Sequence, residues 1–238
     1  SADEIWPEID SIVDDFYYAH SLGYESVNVH VGKEKWRESK DEAMSNMVKN
    51  VENILKQVRD KWYDDVQYLF ENTAWQGSEI GSTLDELAYF YQNYLKDLPV
   101  KFTIDTAHCR WGGMDITKWE EFAEQFDDKI WLENIHSIHL NDAKVPLGSN
   151  LDRHASLGRG FVGWKTLIPI IQRAAGRNVP MYIETVEPDL RPDEVAKVKQ
   201  IVDGDLSRVD AFHQEHWKTQ FLKKYEDLAR QKDDGFFG

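Results

Sequence analysis

The strongest constraint on this chain is a rhythm. Short apolar runs rich in β-branched residues recur along it: SVNVHV at 26–31, VQYLFENT at 66–73, VKFTIDT at 100–106, IHSIHLND at 135–142 and PMYIETV at 180–186. Runs of this length and composition suit strands covered on both faces. Between them lie amphipathic stretches with helix-start signals. Ser39 to Glu42, Thr83 to Glu86 and Thr117 to Glu120 each fit the capping box S/T-x-x-E, and Met44, Met47, Val51, Ile54, Leu55 and Val58 trace one apolar face behind the first. Strands that alternate with helices about every 35 residues imply a parallel sheet, because each crossover helix returns the chain to the same end.

The expected fold class is therefore α/β with a parallel sheet. If that sheet closes as a (β/α) barrel, the strand ends converge on one mouth. Each of the five runs finishes on or near a metal-capable side chain: His30, Glu71, Asp105 with His108, His139, and Glu184. The stretch HLNDAKVPLGSNLDRHASLG at 139–158 adds Asp142, Asp152 and His154. Asp152 and His154, at i and i+2, share one side of an extended segment, and Asp105-x-x-His108 lets the chain turn between its two polar groups. His136 and His139 are an odd number of residues apart and face opposite ways on a strand, so the candidate is His139, nearer the strand end. Taken one at a time, each of these residues has a blander reading as a hydrogen-bonded strand-end or loop residue. As a set of histidines and carboxylates they suit zinc or manganese.

Composition narrows the function classes. In 238 residues, 41% apolar and 13% aromatic, there is ample material for a core, and the single Cys109 excludes a disulfide framework and thiolate metal sites. The sequence contains no run of eighteen apolar residues and begins acidic, so an intracellular protein, cytoplasmic or nuclear and without a membrane partner, is expected. The net charge of −15 has the wrong sign for gripping nucleic acid by charge alone. Gly77, Gly81 and Gly112-Gly113 fit no phosphate-binding motif. Trp75 and Trp111, directly after strands, are candidates to stack on a base; Trp164 is expected to pack in the core.

The segments ENTAWQGSEIG, FTIDTAHCRWGG, HLNDAKVPLGSNLDRHASLGRGFVG and YIETVEPD together resemble the endonuclease IV family of apurinic/apyrimidinic endonucleases, over about residues 8 to 202. The resemblance implies a TIM barrel holding three zinc ions that cleaves double-stranded DNA 5′ to an abasic site in base-excision repair. Carried onto matching positions, it implies the ligands His30, Glu71, Asp105, His108, His139, Asp152, His154 and Glu184. Glu71 would bridge two ions, His108, Asp152 and His154 would hold the third, and Glu184 would bind a metal and orient the attacking hydroxide. Asp142 matches a motif aspartate that is not a ligand and is expected to orient ligands from behind. Three divalent ions would outweigh Glu71, Asp105, Asp152 and Glu184 and leave the mouth positive. Arg153, inside the DRH motif, is the expected phosphate contact.

The chain also departs from the family. A complete (β/α)₈ barrel takes roughly 250 residues, and here the pattern opens on a helix that in the family precedes the third strand. The expectation is a barrel over residues 1–204 that lacks two N-terminal βα units and one histidine ligand, followed by a C-terminal helical tail at 205–238. His20, on the opening helix, does not replace that ligand. The open edges at Val27 to Val31 and Met181 to Thr185 would then need cover: the expectation is either that the chain is a fragment of a longer protein, or that another copy of the chain or another polypeptide closes the barrel. Trp75 and Arg110-Trp111 stand where the family has small residues, which bears on lesion contacts. Two other functions compete. One is a metal-dependent sugar isomerase or epimerase on a related barrel; the other is a non-catalytic binding remnant.

Overall fold

In the computed structural model of the protein, residues 9–30, 32, 39–74, 79–149 and 151–206 are described. The tail expected at 205–238 falls almost wholly outside them, as do Trp75, Gly77 and Val31.

Four of the five apolar runs form strands close to their expected bounds. They are β1 (Ser26–His30), β2 (Gln67–Glu71), β3 (Val100–Asp105) and β4 (Ile135–His139). These pair in parallel and in sequence order, and β7 (Met181–Tyr182) adds beside β4. The intervening segments are α1 (Ile9–Leu22), α2 (Lys40–Asp60), α3 (Leu84–Phe90), α4 (Thr106–Trp111), α5 (Trp119–Ile130), α6 (Gly163–Gly176) and α7 (Arg191–Val202). A two-stranded antiparallel ribbon, β5 (Asp142–Ala143) with β6 (His154–Ala155), stands apart from the main sheet. Among the described residues the sheet is a five-stranded arc of a barrel, with β1 and β7 at its edges. No helix of the described residues is long and apolar enough to cross a membrane.

Alternation along the strands separates two faces. Tyr68, Phe70, Phe102 and Ile104 are buried toward the helices. Phe16 of α1 stacks on Tyr68, Phe90 of α3 meets Phe70 edge-on, and Phe126 of α5 meets Phe102. From α2, Met44, Met47, Val51, Ile54 and Val58 are buried in the same core, as the periodicity requires. The other face carries Asn28, His30, Glu71, Thr103, Asp105, Ser137 and His139, brought side by side by the pairings His30 with Glu71 and Asp105 with His139.

At two of the three expected capping boxes the N-cap side-chain bond forms. Ser39 accepts from the Glu42 amide and Thr83 from the Glu86 amide, while Glu86 reaches back to the Gly81 and Ser82 amides. The box expected at Thr117 does not: α5 starts behind Lys118 with no side-chain cap. Asp115 takes the Thr117 hydroxyl and amide instead, at 2.6 and 3.2 Å. An aspartate two residues upstream competes successfully for the capping group.

The fifth run is also shorter as a strand than its composition suggests. Only Met181–Tyr182 pair with β4; beyond them the Glu184 amide donates to the Asn141 side chain at 2.9 Å. A polar side chain thus replaces the sheet ladder where the chain turns toward the mouth.

Candidate metal centre

Each donor reaches the mouth for a local reason. Asp105 is the last residue of β3 and the N-cap of α4, its Oδ1 accepting from the amides of Ala107 and His108 at 2.7 and 2.8 Å. That bond fixes the D-x-x-H spacing, because it begins the helical turn that swings His108 back over its own cap. Its Oδ2 is left to face inward, held by Asn141 Nδ2 at 2.6 Å. His154 arrives on the β5–β6 ribbon, where Ala143 pairs with it.

Among the described residues the side chains gather into three groups, with one donor atom per residue within 4.8 Å of the others: Glu71, Asp105, His139 and Glu184; Asp105, His108 and His154; and His30, Glu71 and His108. In the first, His139 Nδ1 lies 3.0 Å from Glu71, 3.1 Å from Glu184 and 3.9 Å from Asp105. In the second, Asp152 lies alongside, 3.8 Å from His108 Nε2 and 3.7 Å from His154 Nε2. Both of these Nε2 atoms are buried and make no hydrogen bond. Unpartnered buried nitrogens are costly, and converging carboxylates repel one another. A divalent cation answers both, so the donor set fits a metal centre.

The electrostatics follow. Burial acts to lower the His139 imidazole, but its bonds and charge contacts with Glu184, Glu71 and Asp105 outweigh that and raise it to about 10. Burial acts to raise the Glu71 carboxyl, and His139 holds it below its ordinary value instead. Glu184 is likewise lowered by its bond to His139. Burial works against His108 as well, yet Asp105 and Glu71 bring it above its ordinary value.

These shifts have a measurable sign. With its pKa near 10, His139 is protonated at neutral pH in the metal-free protein, whereas a ligating imidazole must be neutral. Uptake of a divalent metal ion is therefore expected to release about one proton from His139. Titration calorimetry in buffers of different ionisation enthalpy checks this, and heats independent of the buffer would contradict it. By the same linkage, the stability His139 lends the metal-free fold is complete below 6.5 and lost as pH rises through about 10.

Behind the donors stands a layer of amides and hydroxyls that the sequence reading did not single out. Asn28 donates to Glu71 Oε2 at 2.6 Å. Asn72 accepts from the Asp105 amide through its side chain, and its carbonyl accepts from His108 Nδ1 at 2.8 Å. Thr106 exchanges hydrogen bonds with the backbone of Asn141. Asn141 ties the Asp105 carboxylate to the Glu184 backbone, across two strands. A signal was present: Asn28 lies two residues before His30 on one strand face, and Asn72 and Asn141 follow donors within two residues. Asn141→Ala is expected to weaken divalent-metal binding about 10- to 100-fold. Chelator competition measures it, and unchanged affinity would remove Asn141 from the site.

Two expected roles are revised, those of Trp111 and Asp142. Trp111 is fully buried, its ring stacked on His154 at 5.3 Å and 12° and tilted against His108 at 5.5 Å. It is a backing plate for two imidazoles and cannot stack on a base; an indole next to two converging histidines is more useful inside than out. The hydrogen bonds of the Asp142 carboxylate go to backbone amides and not to a donor side chain among the described residues. Asp142 is fully buried and accepts from the amides of Ala143, Gly160, Val162 and Gly163, so it organises the loop that follows the ribbon. Arg153 is exposed, its guanidinium donating to the Asp152 carbonyl. Trp164 is buried in the core as expected, and His136 is in none of the donor groups.

A family model described as xylose isomerase-like TIM barrel matches residues 3–203. A probable endonuclease 4 of Campylobacter hominis is 30% identical over 200 residues, which cover 83% of this chain and 69% of that protein. The crystal structure of endonuclease IV from Thermus thermophilus superposes with a TM-score of 0.66 at 26% identity, covering 82% of this chain and 68% of that one. A D-tagatose 3-epimerase-like protein superposes at 0.64 with 20% identity, covering 85% and 71%, a likeness of fold alone. The arc of parallel strands, the donor groups at their ends and the extent of these matches lead to one assignment: the chain belongs to the xylose isomerase-like TIM-barrel family and, within it, to the endonuclease IV family.

Proposed function

We propose that this chain is a zinc-dependent endonuclease that hydrolyses the DNA phosphodiester 5′ to abasic sites. One observation carries the reading. A second group of donors, His108 and His154 with unpartnered buried Nε2 atoms and Asp152 beside them, adjoins the group formed by Glu71, Asp105, His139 and Glu184. A sugar isomerase or epimerase is served by the four-donor group alone, whereas in-line displacement at phosphorus uses adjacent ions on both sides of the reacting centre. The endonuclease names of the relatives agree with this choice.

In the reading, His30, Glu71, Asp105, His108, His139, Asp152, His154 and Glu184 hold the ions. When bound, zinc supplies Lewis acidity toward the phosphate and lowers the pKa of water. The protein's own residues do the rest. Glu71, nearly inaccessible and anchored by Asn28, is placed between His30 and His139 and joins two positions rigidly. Glu184, with a side chain 48% exposed, is the most exposed of the four donors around His139 and is assigned to orient the attacking water. A cavity of about 440 Å³ lined by Asn28, Ser137, His139, Tyr182 and Glu184 adjoins it. Loaded with divalent ions, the mouth attracts phosphate through its local field although the chain carries −15 overall.

Arg153 is exposed beside Asp152 and is assigned a backbone phosphate. Arg153→Ala is expected to reduce the slope of log affinity against log salt by about 0.9, with catalysis of bound DNA little changed. An unchanged slope would take Arg153 out of the interface. The reading as a whole is tested with a duplex carrying one abasic-site analogue and zinc-loaded protein. A nick 5′ to the lesion with a 3′-hydroxyl is the expected product; an intact strand at excess enzyme rejects the proposal.

A further inference from the structure

The three donor groups are unequal, and the inequality follows from where their atoms are already committed. The group of Glu71, Asp105, His139 and Glu184 gathers four donors, two of them held from behind by Asn28 and Asn141. The group of Asp105, His108 and His154 offers two buried nitrogens with no competing partner and has Asp152 within reach.

The group at His30 differs. His30 ends β1, an edge strand, and its side chain is 62% exposed, with Nε2 3.5 Å from Glu71. Glu71 is shared with the four-donor group. The remaining member, His108, approaches Glu71 through Nδ1 at 3.3 Å, but that nitrogen donates to the Asn72 carbonyl at 2.8 Å. Its Nε2, on the opposite side of the ring, points toward Asp152. Ligating at His30 would cost His108 the hydrogen bond that fixes its tautomer and leave one ring between two ions. Among the described residues, the His30 position therefore keeps one whole donor and one shared carboxylate, where zinc takes four ligands.

We propose that the centre loads in order: ions enter the two buried groups first and bind tightly, and an ion at the His30–Glu71 rim binds last and exchanges with solution. The supply of free divalent metal then sets whether the cluster is complete. The inference rests on the metal-dependent reading above, but it concerns occupancy and not the reaction.

The test counts ions. The whole chain is equilibrated with zinc at free concentrations fixed by chelator buffers, and bound metal is measured by native mass spectrometry and elemental analysis. Two ions per chain are expected at low free zinc, and a third only at a free zinc concentration about a hundredfold or more higher. His30→Ala is expected to abolish the third ion alone, with the two tight ions and the melting temperature of the metal-free protein unchanged. Three ions of equal affinity, or a weak phase that survives His30→Ala, would overturn the loading order. So would loss of a buried-group ion before the rim ion, or a chain that takes up no zinc. If loading follows this order while abasic DNA stays intact, the endonuclease reading fails and the loading order stands. If DNA is cut by a protein whose three ions bind equally, the loading order fails and the endonuclease reading stands.

Discussion

Glu184→Gln is expected to lower the rate of 5′ incision at an abasic site by about 10²- to 10³-fold, with the fold intact. The size comes from position. Glu184 Oε2 lies 3.1 Å from His139 Nδ1, in a group whose donors are all within 4.8 Å, and it is the most exposed of the four. An amide keeps the shape and the backbone bond to Asn141 Oδ1 but gives up the negative charge that draws an ion and a water to this side of the mouth. Glu71, Asp105 and His139 stay anchored, so metal binding should weaken less than catalysis. Single-turnover kinetics on a saturated duplex separates the two. An unchanged rate would remove Glu184 from the mechanism.

Asp142→Ala is expected to be the most destabilising single change near the site, by about 3–5 kcal/mol. The carboxylate accepts from the amides of Ala143, Gly160, Val162 and Gly163 at 2.8, 3.0, 2.8 and 3.1 Å, in complete burial. Burial raises its pKa, and those four amides act against the shift. Alanine would leave the loop amides buried without an acceptor. Because Asp142 pairs across the ribbon with Ala155, beside His154, the loss should reach the imidazole group before the four-donor group. Gly160→Ala should act in the same direction, since a Cβ there would fall 2.3 Å from the Ala143 carbonyl and 2.5 Å from the Asp142 carboxylate. Chemical denaturation with parallel metal analysis checks both; an Asp142→Ala protein with full stability and unchanged zinc content would contradict the assignment.

The architecture was legible because it rests on periodicity. Apolar runs at 26–31, 66–73, 100–106 and 135–142 became β1 to β4, and the strand-end donors face one another because parallel pairing puts every C-terminal end on one side. The fifth run misled because β propensity does not register a competing side chain: Asn141 takes the Glu184 amide that a strand would have used. The Thr117 capping box failed for a similar reason, with Asp115 nearer. Trp111 looked like a base-stacking residue because it follows a strand, but α4 turns it inward against His108 and His154. The asparagines of the supporting layer went unread because an amide carries no charge and no metal preference. Their role depends on which carboxylate or imidazole the fold sets within 3 Å or so, and only the structure places Asn141 between Asp105 and Glu184.

The claim on which the rest depends is that these side chains hold a cluster of divalent ions. Anomalous diffraction at the zinc edge, from crystals grown with zinc, tests it most directly. Two strong peaks are predicted, one enclosed by Glu71, Asp105, His139 and Glu184 and one between His108, His154 and Asp152, with a weaker peak at His30 that grows with zinc concentration. Well-ordered side chains at these positions with no anomalous density among them would contradict the account.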